Sequence, residues 1–206
     1  MLLSFRNIKT KYDMNITGII HIGAHRGQEV HDYIDCGIQN IILFEPLSTN
    51  FSILEQKLAD ANANIFGHQV ALGNDEKMVT MYLSDNEQMS SSILKPKKHL
   101  QNHPTVHFNG TEEVEMKKLD SFSDETIGHN FINMDVQGYE LEVLKGGAET
   151  LKNIDYVYCE VNRDEVYENN AYIEELDDYL ATYNMERVET DWSGGIWGDA
   201  LYIRRK

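Results

Sequence analysis

Cysteine is almost absent from this chain of 206 residues. Its two copies, Cys36 and Cys159, form no CxxC pair. A disulfide framework is thereby excluded, and a reducing compartment suits the chain. Positive charge is also scarce: 18 Lys and Arg stand against 34 Asp and Glu, a net charge of -16. DNA, RNA and anionic membranes repel such a chain, so neither a nucleic acid nor a membrane surface is expected as its partner. Long apolar runs are missing as well. Met1 to Phe5 is too short for a signal peptide and no later run reaches membrane-spanning length, so a cytoplasmic location is expected.

What is present has the balance of an ordinary globular protein, with 41% hydrophobic and 25% charged residues. The length suits a single domain, residues 1–206, with a real core. Residues 1–16 are weakly patterned and read as a segment packed on the rim. Gly18 to Ile22 and Ile41 to Phe44 are short apolar strands. Val30, Tyr33 and Ile34 mark one helix between them, closed by Gly37, and Phe51, Leu54 and Leu58 mark another. Asn64 to Leu72 reads as a third strand, with Lys77 to Leu83 and Thr111 to Leu119 as hairpin partners. Residues 84–109 are polar and read as a long loop, and Asp120 to Ile127 as a short helix. Phe131 to Val136 is an apolar strand, and Leu141, Leu144, Ala148 and Leu151 recur behind it at helical spacing. Ile154 to Val161, a helix on Ile173, Leu176 and Leu180, and strands Met185 to Thr190 and Ala200 to Arg204 complete the chain. The alternation predicts an α/β, doubly wound, mostly parallel sheet with an antiparallel edge at its C-terminal end.

Ligands in such sheets bind outside the carboxyl ends of the strands, which is where Asp135 and Gln137 would lie. A second approach to that edge is the turn Gly23-Ala24-His25-Arg26-Gly27, where glycine lets backbone come close to a ligand. Glu45 ends the next strand and is held extended by Pro46. A carboxylate there can accept both hydroxyls of a ribose, so the turn and Glu45 together imply an adenosine-type ligand. A nicotinamide dinucleotide and S-adenosylmethionine both fit. His25 stands where a dinucleotide needs a glycine at its pyrophosphate, whereas a sulfonium has no phosphate to cradle, and this favours S-adenosylmethionine.

Several runs together resemble the FkbM-type methyltransferases of the class I S-adenosylmethionine-dependent fold. They are Ile20 to Gln28, Leu43 to Pro46, Val70 to Asn74, Ser90 to Ser92, Leu119-Asp120 and Asp135 to Gly146, in the family's order. The resemblance implies methyl transfer to an oxygen of a sugar or glycan, or of a polyketide-type natural product. It also implies a cofactor site of Gly23, Ala24, Gly27, Glu45 and Ala71, with His21, Pro46, Ser91 and Asp135 beside it. Two positions depart from the family: His21 stands where an acid is usual and Asn133 where a lysine is usual. His21 is read either as a hydrogen-bonded strand-end histidine or as a group that binds or moves a proton.

A sugar hydroxyl is a poor nucleophile until it loses its proton, which calls for a carboxylate or histidine base or a divalent metal. Asp135 and Glu160 are the candidate catalytic pair. With Asn162 they form an all-oxygen set suited to magnesium or manganese, similar to that of metal-dependent catechol-type O-methyltransferases. The competing reading has Asp135 and Glu160 orienting loops or touching cofactor and acceptor directly. The loop 84–109 is expected on the acceptor side. His99, His103 and His107 recur there every four residues, but Pro104 breaks any shared helical face. Trp192 and Trp197 read as a sugar-facing wall or as a hairpin packed on the rim. A non-catalytic cofactor-binding module is the alternative of a different class.

Overall fold

In the computed structural model, residues 1–59 and 63–205 are described. The first half of the chain is α1 (Phe5–Lys11), β1 (Ile19–Ile22), α2 (Val30–Asp35), β2 (Asn40–Phe44), α3 (Ser48–Leu58) and β3 (Asn64–His68). Three strands, β4 (Ala71–Leu72), β5 (Lys77–Ser84) and β6 (Phe108–Lys117), then build a separate small sheet, with the short α4 (His99–Asn102) inside the long connection. The chain returns through β7 (Phe131–Met134), α5 (Glu140–Gly146), β8 (Tyr156–Asn162), α6 (Ile173–Ala181), β9 (Met185–Ser193) and β10 (Trp197–Arg204).

The main sheet has seven strands in the order β3-β2-β1-β7-β8-β10-β9. β3 to β8 run parallel, while β10 is antiparallel to both β8 and β9. Every residue of β1 and β7 is buried, as expected of strands covered on both faces. One face packs Val143 and Leu144 of α5 with Ile173, Leu176 and Leu180 of α6. The other packs Phe5 and Ile8 of α1, Val30 and Tyr33 of α2, and Phe51 and Leu54 of α3. Each such side chain contributes about 1.5–3 kcal/mol on full burial. The chain winds one way from β1 to β3 and the other way from β7, so the switch point lies between β1 and β7.

The architecture agrees with the doubly wound expectation, and two details differ. The expected strand Asn64 to Leu72 is split, with β3 in the main sheet and β4 in the small one. β3 pairs with β2 only as far as Phe44↔His68. Glu45 N–H still donates to His68 O at 3.1 Å, but Pro46 has no N–H to continue the ladder. The expected helix Asp120 to Ile127 is only a 3-10 turn, Leu119–Phe122. The Asp120 carboxylate instead accepts the backbone N–H groups of Glu149 and Thr150 at 3.0 and 2.8 Å. The expected antiparallel C-terminal edge is present: β10 pairs antiparallel with β8 and β9 and leaves β9 outermost. Glu186, Arg187, Glu189 and Asp191 on β9 suit an unpaired edge, where charge discourages pairing with another chain.

The rim segment forms α1, whose Phe5 ring meets Tyr33 and Phe131 edge-on at centroid distances of 4.8 and 5.5 Å. The long loop is tied down on one side. Lys97 and Lys98 pair with Glu165 and Asp164 at 2.5 and 2.6 Å, and Lys97 N–H donates to Val166 O at 3.0 Å. Among the described residues no helix is long and apolar enough to cross a membrane.

Candidate active site

A cleft opens at the switch point, across the carboxyl ends of β2, β1 and β7, with the small sheet on one flank. Of the residues singled out from sequence, His21, Gly23, Glu45, Pro46, Ala71, Ser91 and Asp135 line it. Ala24, Gly27, Glu160 and Asn162 are not among its walls. Ala24 is fully buried in the core beside α2. The glycines serve packing more than ligand approach. A Cβ on Gly23 (φ +80°) would stand 1.9 Å from the Asp135 carbonyl oxygen, and one on Gly27 (φ +67°) would stand 2.7 Å from Leu54 Cδ1. Gly23 thus lets the first loop lie against the end of β7.

Glu45 is a buried carboxylate at one end of the cleft. Its Oε2 accepts His25 N–H at 2.8 Å and its Oε1 accepts Leu47 N–H at 3.0 Å. Burial pushes its pKa up to about 7 against the pull of those two N–H bonds. Asn50, one turn into α3, also lines the cleft; its Oδ1 accepts Arg26 Nε at 3.1 Å and its Nδ2 has no partner. Nothing in the sequence distinguishes Asn50 from a surface asparagine, because its place beside Glu45 follows from how α3 crosses β2. Val70, Ala71 and Leu72 form an apolar slot next to Glu45. Leu47, Met81 and Val114 pack around Ala71, so the small sheet roofs that slot.

At the other end, His21 is buried with its Nδ1 3.2 Å from Tyr33 Oη and its Nε2 3.5 Å from Asn133 Nδ2. Burial lowers its pKa, so the imidazole is neutral at pH 7. The two family departures are therefore neighbours: His21 and Asn133 are paired across β1 and β7. The hydrogen-bonded strand-end reading of His21 agrees with this geometry.

Between these ends lies a network built on Gln137. Its Nε2 donates to Asp135 Oδ1 at 2.6 Å and to Glu160 Oε2 at 2.8 Å, while its Oε1 accepts Tyr167 Oη–H at 2.7 Å. Gln137 has φ +55°, an uncommon conformation for a residue other than glycine. Ser92 Oγ donates to its carbonyl at 2.8 Å. Glu140 Oε1 secures the same loop by accepting Val136 and Gly138 N–H at 3.1 and 3.2 Å. Burial, then Asp135, Glu140 and Asp199, push the Glu160 carboxyl well above the usual carboxylate range. Of this pair, Asp135 is the one that faces the cleft. Sequence reading reached Asp135, Gln137 and Glu160 but missed Tyr167.

The oxygen set does not fit a divalent cation. A donor nitrogen, Gln137 Nε2, occupies the place between the facing oxygens of Asp135 and Glu160 where a cation would have to stand. Among the described residues there is no group of three or more His, Cys, Asp or Glu arranged to hold a metal. His99 packs against Tyr167 and Phe108 at 5.5 and 5.3 Å between ring centroids, and burial lowers its pKa to about 4. Of the serines, Ser91 alone lines the cleft; its Oγ accepts Ser84 N–H at 3.0 Å. Trp192 lies under the Arg163 guanidinium at 3.5 Å, a rim contact.

Known proteins agree with this geometry. A 2-O-methyltransferase, NoeI, of Sinorhizobium fredii is 30% identical over 156 residues, 75% of this chain. The chain spans 60% of that relative's length. Magnesium protoporphyrin IX methyltransferase from Synechocystis, solved with bound S-adenosylmethionine, superposes with a TM-score of 0.53 at 8% identity, covering 96% of this chain and 74% of that one. A NADB-Rossmann superfamily protein from Streptococcus agalactiae gives a TM-score of 0.56 at 11% identity, covering 99% and 69%. At these identities the two structures establish a Rossmann-like fold. The methyltransferase FkbM domain matches residues 21–187, the whole stretch from β1 into β9. This chain belongs to the FkbM methyltransferase family.

Proposed function

We propose that this protein is an S-adenosylmethionine-dependent O-methyltransferase acting on a hydroxyl of a sugar or glycan. The carrying observation is one cleft with a buried carboxylate, Glu45, beside an apolar slot at one end and Asp135 in its middle. The residues present fit the cofactor. Glu45 would hold the ribose hydroxyls with Asn50 beside it, Ala71 and Leu72 would flank the adenine, and Gly23, Pro46, Ser91 and His21 would complete the walls. The name of the 2-O-methyltransferase relative supports oxygen as the acceptor atom.

The cofactor supplies an electrophilic methyl group for in-line displacement by the acceptor oxygen. The protein's part is to align that oxygen and take its proton, and alignment can contribute up to about 7–11 kcal/mol of the acceleration. Asp135 is the proton acceptor. Gln137 aims the Asp135 carboxylate, the Glu160 side chain and the Tyr167 hydroxyl hold the Gln137 amide, and Ser92 holds its backbone. Glu160 is therefore a positioning residue. No step runs through a metal, since the donor set does not fit one.

The test is incubation of purified protein with S-adenosylmethionine and a panel of sugars, glycans and polyketide-type hydroxyl compounds, with and without excess chelator. The expected result is S-adenosylhomocysteine and a product 14 mass units heavier, roughly the mass of one CH₂, from a carbohydrate. Chelator should leave the rate unchanged. Cofactor binding without turnover on any acceptor would favour a non-catalytic module, and turnover restored only by magnesium or manganese would overturn the metal-free mechanism.

A further inference from the structure

The turn that follows β5 bridges the two flanks of the cleft. It leaves the small sheet, touches the loop that follows β1, and lines the space between them with Gln88, Met89 and Ser91. Met89 is 54% exposed although it lines the cleft, which puts it at the mouth. Glu87 and Gln88 hold φ +59° and +67°, a left-handed pair that residues other than glycine seldom adopt. Such backbone persists only where its surroundings hold it, and it gathers at ligand clamps and switches.

The two ends of the turn are held unequally. On the side of the small sheet, Ser84, Ser90, Ser91 and Ser92 are all buried. Ser84 N–H donates to Ser91 Oγ at 3.0 Å and Ser90 N–H to Ser84 Oγ at 3.1 Å, while Tyr82 and Ser92 exchange backbone bonds at 2.8 and 3.2 Å. The buried Tyr167 hydroxyl lies 2.9 Å from the Ser90 carbonyl oxygen. On the side of the β1 loop, Arg26 Nη1 pairs with Glu87 Oε2 at 2.9 Å, and the Glu87 side chain is 67% exposed. His25 Nε2–H donates to the Glu87 carbonyl at 2.8 Å, also in contact with solvent. An exposed ion pair adds little and is screened by salt, whereas buried bonds are not. The turn therefore has a hinge at its serines and a weak latch at Glu87. That latch closes on His25, whose own N–H holds the Glu45 carboxylate.

We propose that the turn at Glu87, Gln88 and Met89 is a gate over the bound cofactor, held shut by Glu87 and opening on the side of His25 and Arg26. This rests on the cofactor reading above. The cofactor enters and leaves when the latch is open, so the latch sets the exchange rate and leaves the affinity alone.

The experiment is surface plasmon resonance of S-adenosylhomocysteine over the immobilised full chain. Glu87→Gln removes the ion pair and keeps the backbone carbonyl. It should raise the association and dissociation rates together, about two- to fivefold, with Kd unchanged. Raising the ionic strength from about 0.1 M to about 1 M should speed exchange in wild type and not in Glu87→Gln. Melting temperatures should match, since an exposed pair contributes little to stability. Unchanged rates in Glu87→Gln would overturn the gate while the cofactor reading stands. So would faster dissociation alone with weaker binding, which would make Glu87 an ordinary binding contact. If wild type does not bind S-adenosylhomocysteine, both fall together.

Discussion

Glu45 shows how one side chain can join binding to acidity. Its carboxyl is raised to about 7 by burial, yet a ribose diol donates best to the ionised form. Cofactor affinity should therefore rise with pH up to about 7 and level off above it, and binding at pH 7 should release protons. Titrations in buffers of different ionisation enthalpy would reveal that release. Glu45→Ala should weaken binding tenfold or more and abolish the pH dependence, since a hydrogen bond to a charged group contributes about 1.5–3 kcal/mol. Unchanged affinity in Glu45→Ala would remove Glu45 from the cofactor site. Its place in the cleft was legible because a strand-ending acid before proline has a recognisable context. Asn50 and Tyr167 had none, because their importance lies in what packs against them.

Among the elements, the junction of β1 with β7 is the most sensitive. Gly23 leaves β1 at φ +80°, where a Cβ would meet the Asp135 carbonyl at 1.9 Å. Gly23→Ala should destabilise the protein by roughly 2–4 kcal/mol, through backbone strain and forced separation of the two loops. A melting temperature within a degree or so of wild type would contradict this account, since 1 kcal/mol shifts a domain of this size by roughly 2–4 °C. The turn was read in the sequence as a place where backbone comes close to a ligand, whereas the close approach at Gly23 is to a neighbouring loop. That its neighbour is the Asp135 carbonyl, just past β7, follows only from the register of β1 against β7. The split of the expected third strand had a similar origin. Apolar periodicity runs through Asn64 to Leu72, but β2 has no partner groups to offer beyond Phe44.

For the whole molecule, buried acids link folding to pH. Glu140 is raised to about 7 by burial first, then by Asp135. The unfolded chain releases this proton near its ordinary value of 4.5, whereas the folded chain keeps it to about 7. The folded state thus binds more protons in that window, and this contribution to stability is full below pH 4.5 and lost as pH rises through 7. Buried His21 and His99, whose pKa values are lowered, act in the opposite direction as pH falls below 6.5. Comparing Glu140→Gln with wild type cancels the histidines and keeps the Oε1 acceptor for Val136 and Gly138. Thermal melts should show the variant gaining stability relative to wild type between pH 5 and pH 8. A difference independent of pH would mean that Glu140 is ionised in the folded state.

The order of apolar runs and turns determined the doubly wound sheet, because strand and helix periods are local properties of the chain. Motif residues at strand ends likewise determined that Glu45 and Asp135 would meet at one edge. Tertiary structure decided the rest. It turned Gly23 to packing, gave Gln137 the gap between Asp135 and Glu160 that an oxygen set alone suggested for a metal, and laid the turn at Glu87 and Gln88 against the loop after β1. Hydrogen-bond partners and protonation depend on which groups share a dry space, and only packing across distant parts of the chain brings those groups together.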